Sequence, residues 1–157
     1  MRIVPVTEEN VAYFTGLCKE LHNAGTFGIH GPDFEWDYTL DLMRTLTARD
    51  DYYMRMAYDD EDKPCGLVGG HIMSFYFSPK IIAYEDAWYV REGTKMRART
   101  AIALMRGLMG WALDEKKALL LETGDVASID STAVWELYKR MGFVHFGTLY
   151  KYSRGLT

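Results

Sequence analysis

The chain has 157 residues, of which 48% are hydrophobic and 25% charged, and its 18 Lys and Arg against 22 Asp and Glu give a formal net charge of −4. That length and apolar content predict a single domain over residues 1–157 with a substantial core. Fourteen glycines and four prolines exclude a disordered, collagen-like or low-complexity chain. The acidic total argues against a general nucleic-acid binder, and we expect no nucleic-acid partner.

The cysteines and the apolar runs bear on the cellular setting. Cys18 and Cys65 are the only two cysteines, and their spacing fits neither a disulfide framework nor a zinc site. We therefore expect a reducing, cytoplasmic setting and no metal. Polar residues interrupt the apolar run from Gly66 to Tyr84, and no apolar segment follows Met1, so we expect neither a membrane span nor a secretory signal.

The first third of the chain predicts one short strand and two helices. A β-prone run over residues 2–6 opens the sequence, and apolar residues at spacings of three and four then predict a helix over residues 8–23 that ends at Gly25. Residues 26–33 are rich in glycine and predict a loop. A second helix follows, and its apolar positions are Trp36, Leu40, Met43 and Leu46.

The middle of the chain predicts an antiparallel hairpin and a third long strand. Two strand-like runs, over residues 52–58 and 65–77, flank the charged turn at 59–64. The acidic residues of that turn lack the spacing of a calcium loop, so a solvated turn is favoured over a cation site. Residues 81–90 form the third strand candidate.

The last third predicts alternating helices and strands. A long helix carries apolar residues at Ala98, Ile102, Met105, Met109 and Ala112. The run at 119–121 predicts a strand buried on both faces, parallel to the preceding strand because a helix joins the two. A helix from 131 to 141 and a strand over 143–152 complete the order βααβββαβαβ, which indicates a mixed α/β (α+β) domain with a largely antiparallel front.

Basic residues concentrate where the third strand meets the long helix. Five of the 18 Lys and Arg residues fall within 16 positions, at Arg91, Lys95, Arg97, Arg99 and Arg106. Unpaired backbone N–H groups at a helix start favour an anion, and basic side chains at the same place add charge-assisted bonds. This pattern favours a phosphate or pyrophosphate site, and a solvated basic helix start is the alternative.

These features together resemble one enzyme family. The order of elements and the pairing of "Tyr89-Val90, basic turn, long helix" with "Leu137-Tyr138-x-x-x-Gly142-Phe143" resemble the GCN5-related N-acetyltransferase superfamily over essentially the whole chain. The resemblance implies a single domain with about four helices and a central, mostly antiparallel mixed sheet. It also implies a splayed pair of parallel strands that holds acetyl-CoA.

The resemblance assigns the cofactor-binding residues. The family's pyrophosphate loop reads Arg/Gln-x-x-Gly-x-Gly/Ala, and its best match here has Ala and Thr at the two small positions. Ser131 occupies a position where the family often has Asn. The residues implied in acetyl-CoA binding are Trp88, Tyr89, Val90, Lys95, Met96, Arg97, Ala98, Arg99, Thr100 and Ser131.

The family reaction is direct attack of an amine on the thioester, and the resemblance makes Tyr138 the acid that protonates the leaving thiolate. A backbone N–H near Val90 resembles the family's carbonyl-polarising donor. The sequence does not identify the residue that acts as general base. Strand alternation puts Asp86 on the face of Val90 and Glu85 on the other, so Asp86 is the first candidate, Glu85 the second and Glu122 the third.

The resulting hypothesis is an acetyl-CoA-dependent N-acetyltransferase, acting on a small-molecule or protein amine and with a homodimer as one expected state. The acceptor would lie between the loop 25–34, the start of the second helix and the strand near Asp86. Aromatic walls for it are expected from Tyr13, Phe27, His30, Phe34, Trp36, Tyr76 and Tyr84. His22 and His71 are interpreted as structural or surface residues. The alternative is a non-catalytic member of the same fold, a binding or assembly module such as a component of a virus particle, which the altered phosphate loop favours and Tyr138 opposes.

Overall fold

A computed structural model describes residues 1–25, 31–124 and 131–145. The strands are β1 (Arg2–Pro5), β2 (Tyr52–Tyr58), β3 (Pro64–Ser74), β4 (Ile81–Val90) and β5 (Leu121–Glu122). The helices are α1 (Val11–Ala24), α2 (Trp36–Thr47), α3 (Arg97–Met109), which continues as a π-helix over Gly110–Glu115, and α4 (Ser131–Arg140). None of the described helices is long and apolar enough to cross a membrane.

The five strands form one sheet in the order β1-β2-β3-β4-β5. The first four strands pair antiparallel, and β4 pairs with β5 in parallel. The predicted hairpin of β2 and β3 and the predicted parallel pair are therefore confirmed. The mixed, mostly antiparallel sheet expected from the resemblance is confirmed as well.

Helices cover both faces of the sheet, because the strands alternate apolar side chains to either side. One face packs against α3 through buried Leu104, Met105 and Leu108. The other face packs against α1 through buried Phe14 and Leu17. Each such side chain contributes about 1.5–3 kcal/mol when it is fully removed from water, so these two layers hold the sheet in place.

The parallel pair of β4 and β5 is short. Its register is Ala83 with Leu121 and Tyr84 with Glu122, after which β4 continues to Val90 while β5 ends. We call the region beyond this last pair, between residues 85–90 and residues 123–124, the fork. The fork is the place where the resemblance puts acetyl-CoA.

The strand predicted at 119–121 differs from the observed one. The strand is Leu121–Glu122, and Leu119 is 62% exposed rather than buried on both faces. In the described part of the sheet β5 pairs with β4 alone, so it has the exposure of an edge. The strand predicted over 143–152 lies mostly outside the described residues, and the described part, 143–145, has no regular structure.

A β-bulge interrupts β4 immediately beyond the fork's first residue. Gly69 of β3 pairs with Ala87, but the next residue, Gly70, pairs with Glu85. Asp86 is therefore an extra residue with no register partner in β3, and the alternation of faces reverses there. The prediction that Asp86 and Val90 share a face, with Glu85 opposite, is wrong for this reason.

Candidate active site

Three side chains meet at the start of the fork. Thr123 Oγ1 donates a hydrogen bond to Glu85 Oε2 at 2.5 Å and lies 2.6 Å from the Tyr138 hydroxyl. The Tyr138 hydroxyl in turn donates to Glu85 Oε2 at 3.2 Å. The three groups come from β4, from the residue after β5 and from α4, so this network spans both arms of the fork and the helix above it.

Desolvation controls the charge of this network. It raises the pKa of the Glu85 carboxyl from its ordinary value to about 7, although the hydrogen bonds from Thr123 and Tyr138 oppose the rise. A carboxyl group with a pKa near neutrality can hold a proton or release it at physiological pH. The network therefore places a carboxyl group that can exchange a proton near neutral pH within 3.2 Å, oxygen to oxygen, of the Tyr138 hydroxyl.

Aromatic packing fixes the position of Tyr138. Its side chain is only 5% exposed, and its ring lies 5.1 Å from the Trp88 ring and 5.2 Å from the Phe143 ring, centroid to centroid. The Trp88 indole Nε1 donates to the carbonyl oxygen of Ala101 in α3 at 3.0 Å. Tyr138 thus has one rigid apolar side and one polar end, which suits a positioned proton donor.

The helix α3 begins with exposed cations and unpaired amides. Its first turn contains no acidic residue, and its N-cap, Met96, has a left-handed backbone (φ 59°) and gives no side-chain cap. Within the described residues, the backbone N–H groups of Ala98 and Arg99 have no acceptor. Lys95 and Arg99 are exposed beside them. This set of groups fits a pyrophosphate, because free N–H donors, the positive helix end and basic side chains coincide.

The altered position Thr100 does not block this helix start. Thr100 is 1% exposed, and its hydroxyl points toward the sulfur of Met1, 3.0 Å away. Its extra bulk is therefore buried in the body of the protein, away from the exposed amide of Arg99. Ala98, at the other altered position, is exposed and adds only a methyl group.

The predicted basic cluster separates into two groups. Arg91 is held by Glu20 of α1, with its Nε and Nη2 atoms 2.8 and 2.5 Å from the two carboxylate oxygens, and it also donates to the carbonyl oxygen of Pro64. Arg97 Nε donates to the carbonyl oxygen of Val90 at 2.9 Å. Arg91 therefore ties α1 to the end of β4, whereas Lys95 and Arg99 remain directed to solvent.

The bulged residue Asp86 contacts a histidine on the neighbouring strand. Both of its carboxylate oxygens lie 2.9 Å from Nδ1 of His71. The His71 ring stacks between Tyr52 and Tyr84, with centroid distances of 5.4 and 5.3 Å. The sequence showed no partner for His71, because nothing in the linear spacing of residues 71 and 86 indicated the pair.

The remaining predicted residues occupy different surroundings. Tyr89 packs on the α1 face, opposite to Trp88, whereas Val90 is buried on the α3 face. Glu122 is exposed and stands beside Tyr84 in the last β4–β5 pair. Ser131 is the first residue of α4.

The expected acceptor region contains a cavity of about 430 Å³ between the end of α1 and the start of α2. Phe34 lines it and contacts His22 and Trp36, with ring centroids 5.6 and 6.5 Å apart. Tyr13 and Tyr76 are 60% and 86% exposed. Phe27 and His30, two further aromatic candidates, lie outside the described residues.

Comparison with known proteins identifies the fold. No protein-family model and no curated protein sequence matches the chain. Among solved structures, the chain is similar to an aminoglycoside 6'-N-acetyltransferase, AAC(6')-Iy, in complex with the bisubstrate analogue CoA-S-monomethyl-acetylneamine, at 17% identity and a TM-score of 0.76, over 98% of this chain and 97% of that one.

Two further solved acetyltransferase structures are similar to the chain. AAC(6')-Ih from Acinetobacter baumannii matches at 17% identity and a TM-score of 0.73, over 99% of each chain. A ribosomal-protein-alanine N-acetyltransferase from Brucella melitensis biovar Abortus 2308 matches at 14% identity and a TM-score of 0.70, over 98% of this chain and 100% of that one. The chain therefore has the fold of the GCN5-related N-acetyltransferases.

Proposed function

We propose that this protein is an acetyl-CoA-dependent N-acetyltransferase that transfers the acetyl group directly to an amine. The observation that carries the proposal is the network of Glu85, Thr123 and Tyr138 at the start of the fork. The network supplies a proton donor at the place where two parallel strands separate, and the exposed basic start of α3 lies beyond the end of β4. Fold alone does not specify an activity, so the proposal rests on these groups.

The start of α3 is proposed to hold the pyrophosphate of CoA. The amides of Ala98 and Arg99 would donate to phosphate oxygens, and the side chains of Lys95 and Arg99 would add charge-assisted bonds. Acetyl-CoA, as cosubstrate, brings the acetyl thioester. Its thioester end would then lie in the fork, where the backbone of β4 near Val90 is the expected donor to the carbonyl oxygen.

Tyr138 is proposed as the general acid. A tyrosine hydroxyl has an ordinary pKa of about 10 and a thiol about 8.5, so the hydroxyl is protonated at neutral pH and can donate to the thiolate as the C–S bond breaks. Glu85 and Thr123 would then return a proton to the tyrosine. In this arrangement Glu85, the second candidate for the base, acts on the thiol side of the reaction.

The acceptor class is an amine, and the similar structures name two kinds. The two AAC(6') enzymes are aminoglycoside acetyltransferases, and the Brucella enzyme is named for alanine of a ribosomal protein. A small-molecule amine and a protein N-terminus are therefore both proposed for assay. The cavity beside Phe34 is a candidate site for the body of either acceptor.

The test has two parts that separate binding from catalysis. Calorimetry with CoA measures binding, and release of free thiol from acetyl-CoA measures transfer to neamine or to a peptide with an N-terminal alanine. We expect binding and acceptor-dependent thiol release. No binding at millimolar CoA overturns the proposal, and binding without transfer to any amine of a wider panel identifies a non-catalytic module of the same fold.

A further inference from the structure

His71 and Asp86 form a second polar site next to the proposed catalytic network. Asp86 follows Glu85 directly in β4, but it is the unpaired residue of the bulge and contacts β3 instead of α4. The two adjacent carboxyl groups therefore have different hydrogen-bond partners. Glu85 accepts from Tyr138, and Asp86 accepts from His71. Strand alternation sends these neighbouring residues to opposite faces, and the bulge places Glu85 rather than Asp86 on the face of Val90.

The hydrogen bond to Asp86 sets the chemistry of the His71 ring. A carboxylate only accepts hydrogen bonds, so Nδ1 of His71 carries a proton and donates it. The neutral ring then has its free lone pair on Nε2. Among residues 1–25, 31–124 and 131–145, no group makes a hydrogen bond to Nε2. This nitrogen is available to accept a proton from a bound molecule.

Stacking between two tyrosines gives the ring one orientation. Tyr52 and Tyr84 lie on either side of it at interplanar angles of 23° and 20°. The His71 side chain is 24% exposed and that of Asp86 42% exposed, so solvent and a ligand can reach the pair. A histidine that is both oriented by a carboxylate and accessible has the form of a general base.

The sheet register brings this pair to the fork. Tyr52, His71, Tyr84 and Glu122 are consecutive cross-strand partners on β2, β3, β4 and β5. Tyr84 and Glu122 are also the last pair before the parallel strands separate. His71 therefore lies one strand away from the start of the fork, on the face that α1 and α2 cover further along the sheet.

We propose that His71, oriented by Asp86, is the base that takes the proton from the acceptor amine. This inference rests on the proposed acetyl transfer and adds a residue to it. Asp86 is then a positioning residue, which holds the tautomer of His71 and stabilises the imidazolium once it forms. Glu85 and Tyr138 act on the sulfur, so the two sides of the reaction use separate proton carriers.

The proton balance is complete with these groups. An ammonium acceptor gives one proton to Nε2 of His71, and the neutral amine forms a C–N bond to the thioester carbonyl carbon. The C–S bond then breaks as Tyr138 protonates the sulfur, and the nitrogen of the adduct gives a second proton to solvent. Glu85 returns a proton to Tyr138 and takes one back from solvent. His71 releases its proton to regenerate the starting state, so the net result is one proton released to solvent for each amide formed.

The stacked geometry provides a direct test, because His71→Ala leaves a ring-sized gap between Tyr52 and Tyr84. With the 157-residue chain, acetyl-CoA and the amine that the wild type acetylates, we expect a loss of turnover of about a hundredfold or more, at unchanged CoA affinity. Added imidazole should restore turnover, whereas pyrrole, a ring of the same size without a basic nitrogen, should not.

Two controls complete the experiment. Asp86→Asn should also lower turnover and His145→Ala should not, since His145 is exposed and contacts Trp135. If the wild type is active and His71→Ala has the same turnover, the role of His71 is overturned while the proposed function stands. Equal rescue by pyrrole and imidazole overturns the role of His71 in the same way. Absence of turnover in the wild type overturns the proposed function and this role with it.

Discussion

The hydroxyl of Tyr138 lies 3.2 Å from a carboxylate oxygen of Glu85, a residue 53 positions earlier in the chain. Neither residue reaches the other through local structure. Tyr138 is brought by α4, and Glu85 is turned toward it by the bulge at Asp86. The contact therefore depends on the one irregularity of the strand, and it links the opening of the fork to a group that can donate a proton.

Removing the Tyr138 hydroxyl tests its proposed role as the acid. Tyr138→Phe keeps the ring between Trp88 and Phe143, so we expect the fold and the CoA affinity to be retained. Turnover should fall tenfold to a hundredfold or more, which is about the range for a lost general acid. Steady-state kinetics check this, with Tyr58→Phe as the matched control because Tyr58 is also buried but lies on β2, in the core cluster on the other face of the sheet. Unchanged turnover would assign Tyr138 to packing.

The pKa of Glu85 predicts a pH dependence of stability. The pKa is raised by burial to about 7, so between its ordinary value of 4.5 and about 7 the folded chain binds more protons than the unfolded chain. Stability from this group is therefore present below pH 4.5, decreases as the pH rises to about 7, and stays level above it. The decrease amounts to about 3 kcal/mol.

Glu85→Gln removes this dependence while it keeps an oxygen for Thr123 and Tyr138. We expect the melting temperature of the variant, relative to wild type, to rise by several degrees between pH 4.5 and pH 8. Thermal unfolding across that range measures it, and Glu9→Gln, on an exposed side chain, should follow the wild type. Parallel curves for Glu85→Gln and wild type would refute the raised pKa.

Arg99 is expected to contribute to CoA binding. It is exposed at the start of α3, next to backbone amides that have no acceptor among the described residues. Arg99→Ala should raise the dissociation constant for CoA about three- to tenfold. The difference in CoA affinity between the variant and the wild type should be smaller at high salt, because salt screens a solvent-exposed ion pair. Calorimetry at two salt concentrations measures both effects, with Lys19→Ala, an exposed cation on α1, as the charge-matched control. Equal affinities for both variants would remove the start of α3 from the site.

Arg91→Ala is expected to behave differently from Arg99→Ala. Because Arg91 joins Glu20 of α1 to the end of β4, its loss should lower the free energy of unfolding by about 1 kcal/mol, the scale of a partly exposed ion pair. Chemical denaturation checks the change. An altered CoA affinity at unchanged stability would contradict this assignment.

Periodicity in the sequence predicted most of the fold. The helices α1, α2 and α3 and the hairpin of β2 and β3 follow from apolar spacing and turn residues. The parallel pair follows from the helix between β4 and β5. These features depend on the spacing of apolar residues and on turn residues, both of which can be seen in the linear sequence.

The candidate site was harder to predict because it depends on an insertion in the sheet register. Strand alternation selected Asp86 as the residue that faces the thioester, whereas the bulge gives that side to Glu85. The pair of His71 and Asp86 forms for the same reason. The available signal was Gly69-Gly70, since glycines inside a strand often mark a bulge or a close approach of two chains.

Gly70 is the residue at which that close approach is measurable. A Cβ atom at this position would lie 2.6 Å from the carbonyl oxygen of Tyr84 and 2.8 Å from a methyl carbon of Leu108. The methyl group of Leu108 can move, but the carbonyl belongs to the β3–β4 ladder beside the bulge. Gly70→Ala should therefore lower the free energy of unfolding by about 1–3 kcal/mol, the usual cost of overpacking.

Gly16 is the matched control for Gly70. It lies inside α1, and apart from neighbouring residues and the backbone of that helix, no atom of the described residues lies within 4 Å of the corresponding Cβ. Alanine favours a helix interior over glycine by about 0.5–1 kcal/mol, so Gly16→Ala should stabilise the chain. Urea unfolding of the two variants should thus give changes of opposite sign. A Gly70→Ala protein as stable as the wild type would mean that β4 can move away from β3 at the bulge, and the geometry that separates Glu85 from Asp86 would then not be fixed by the sheet.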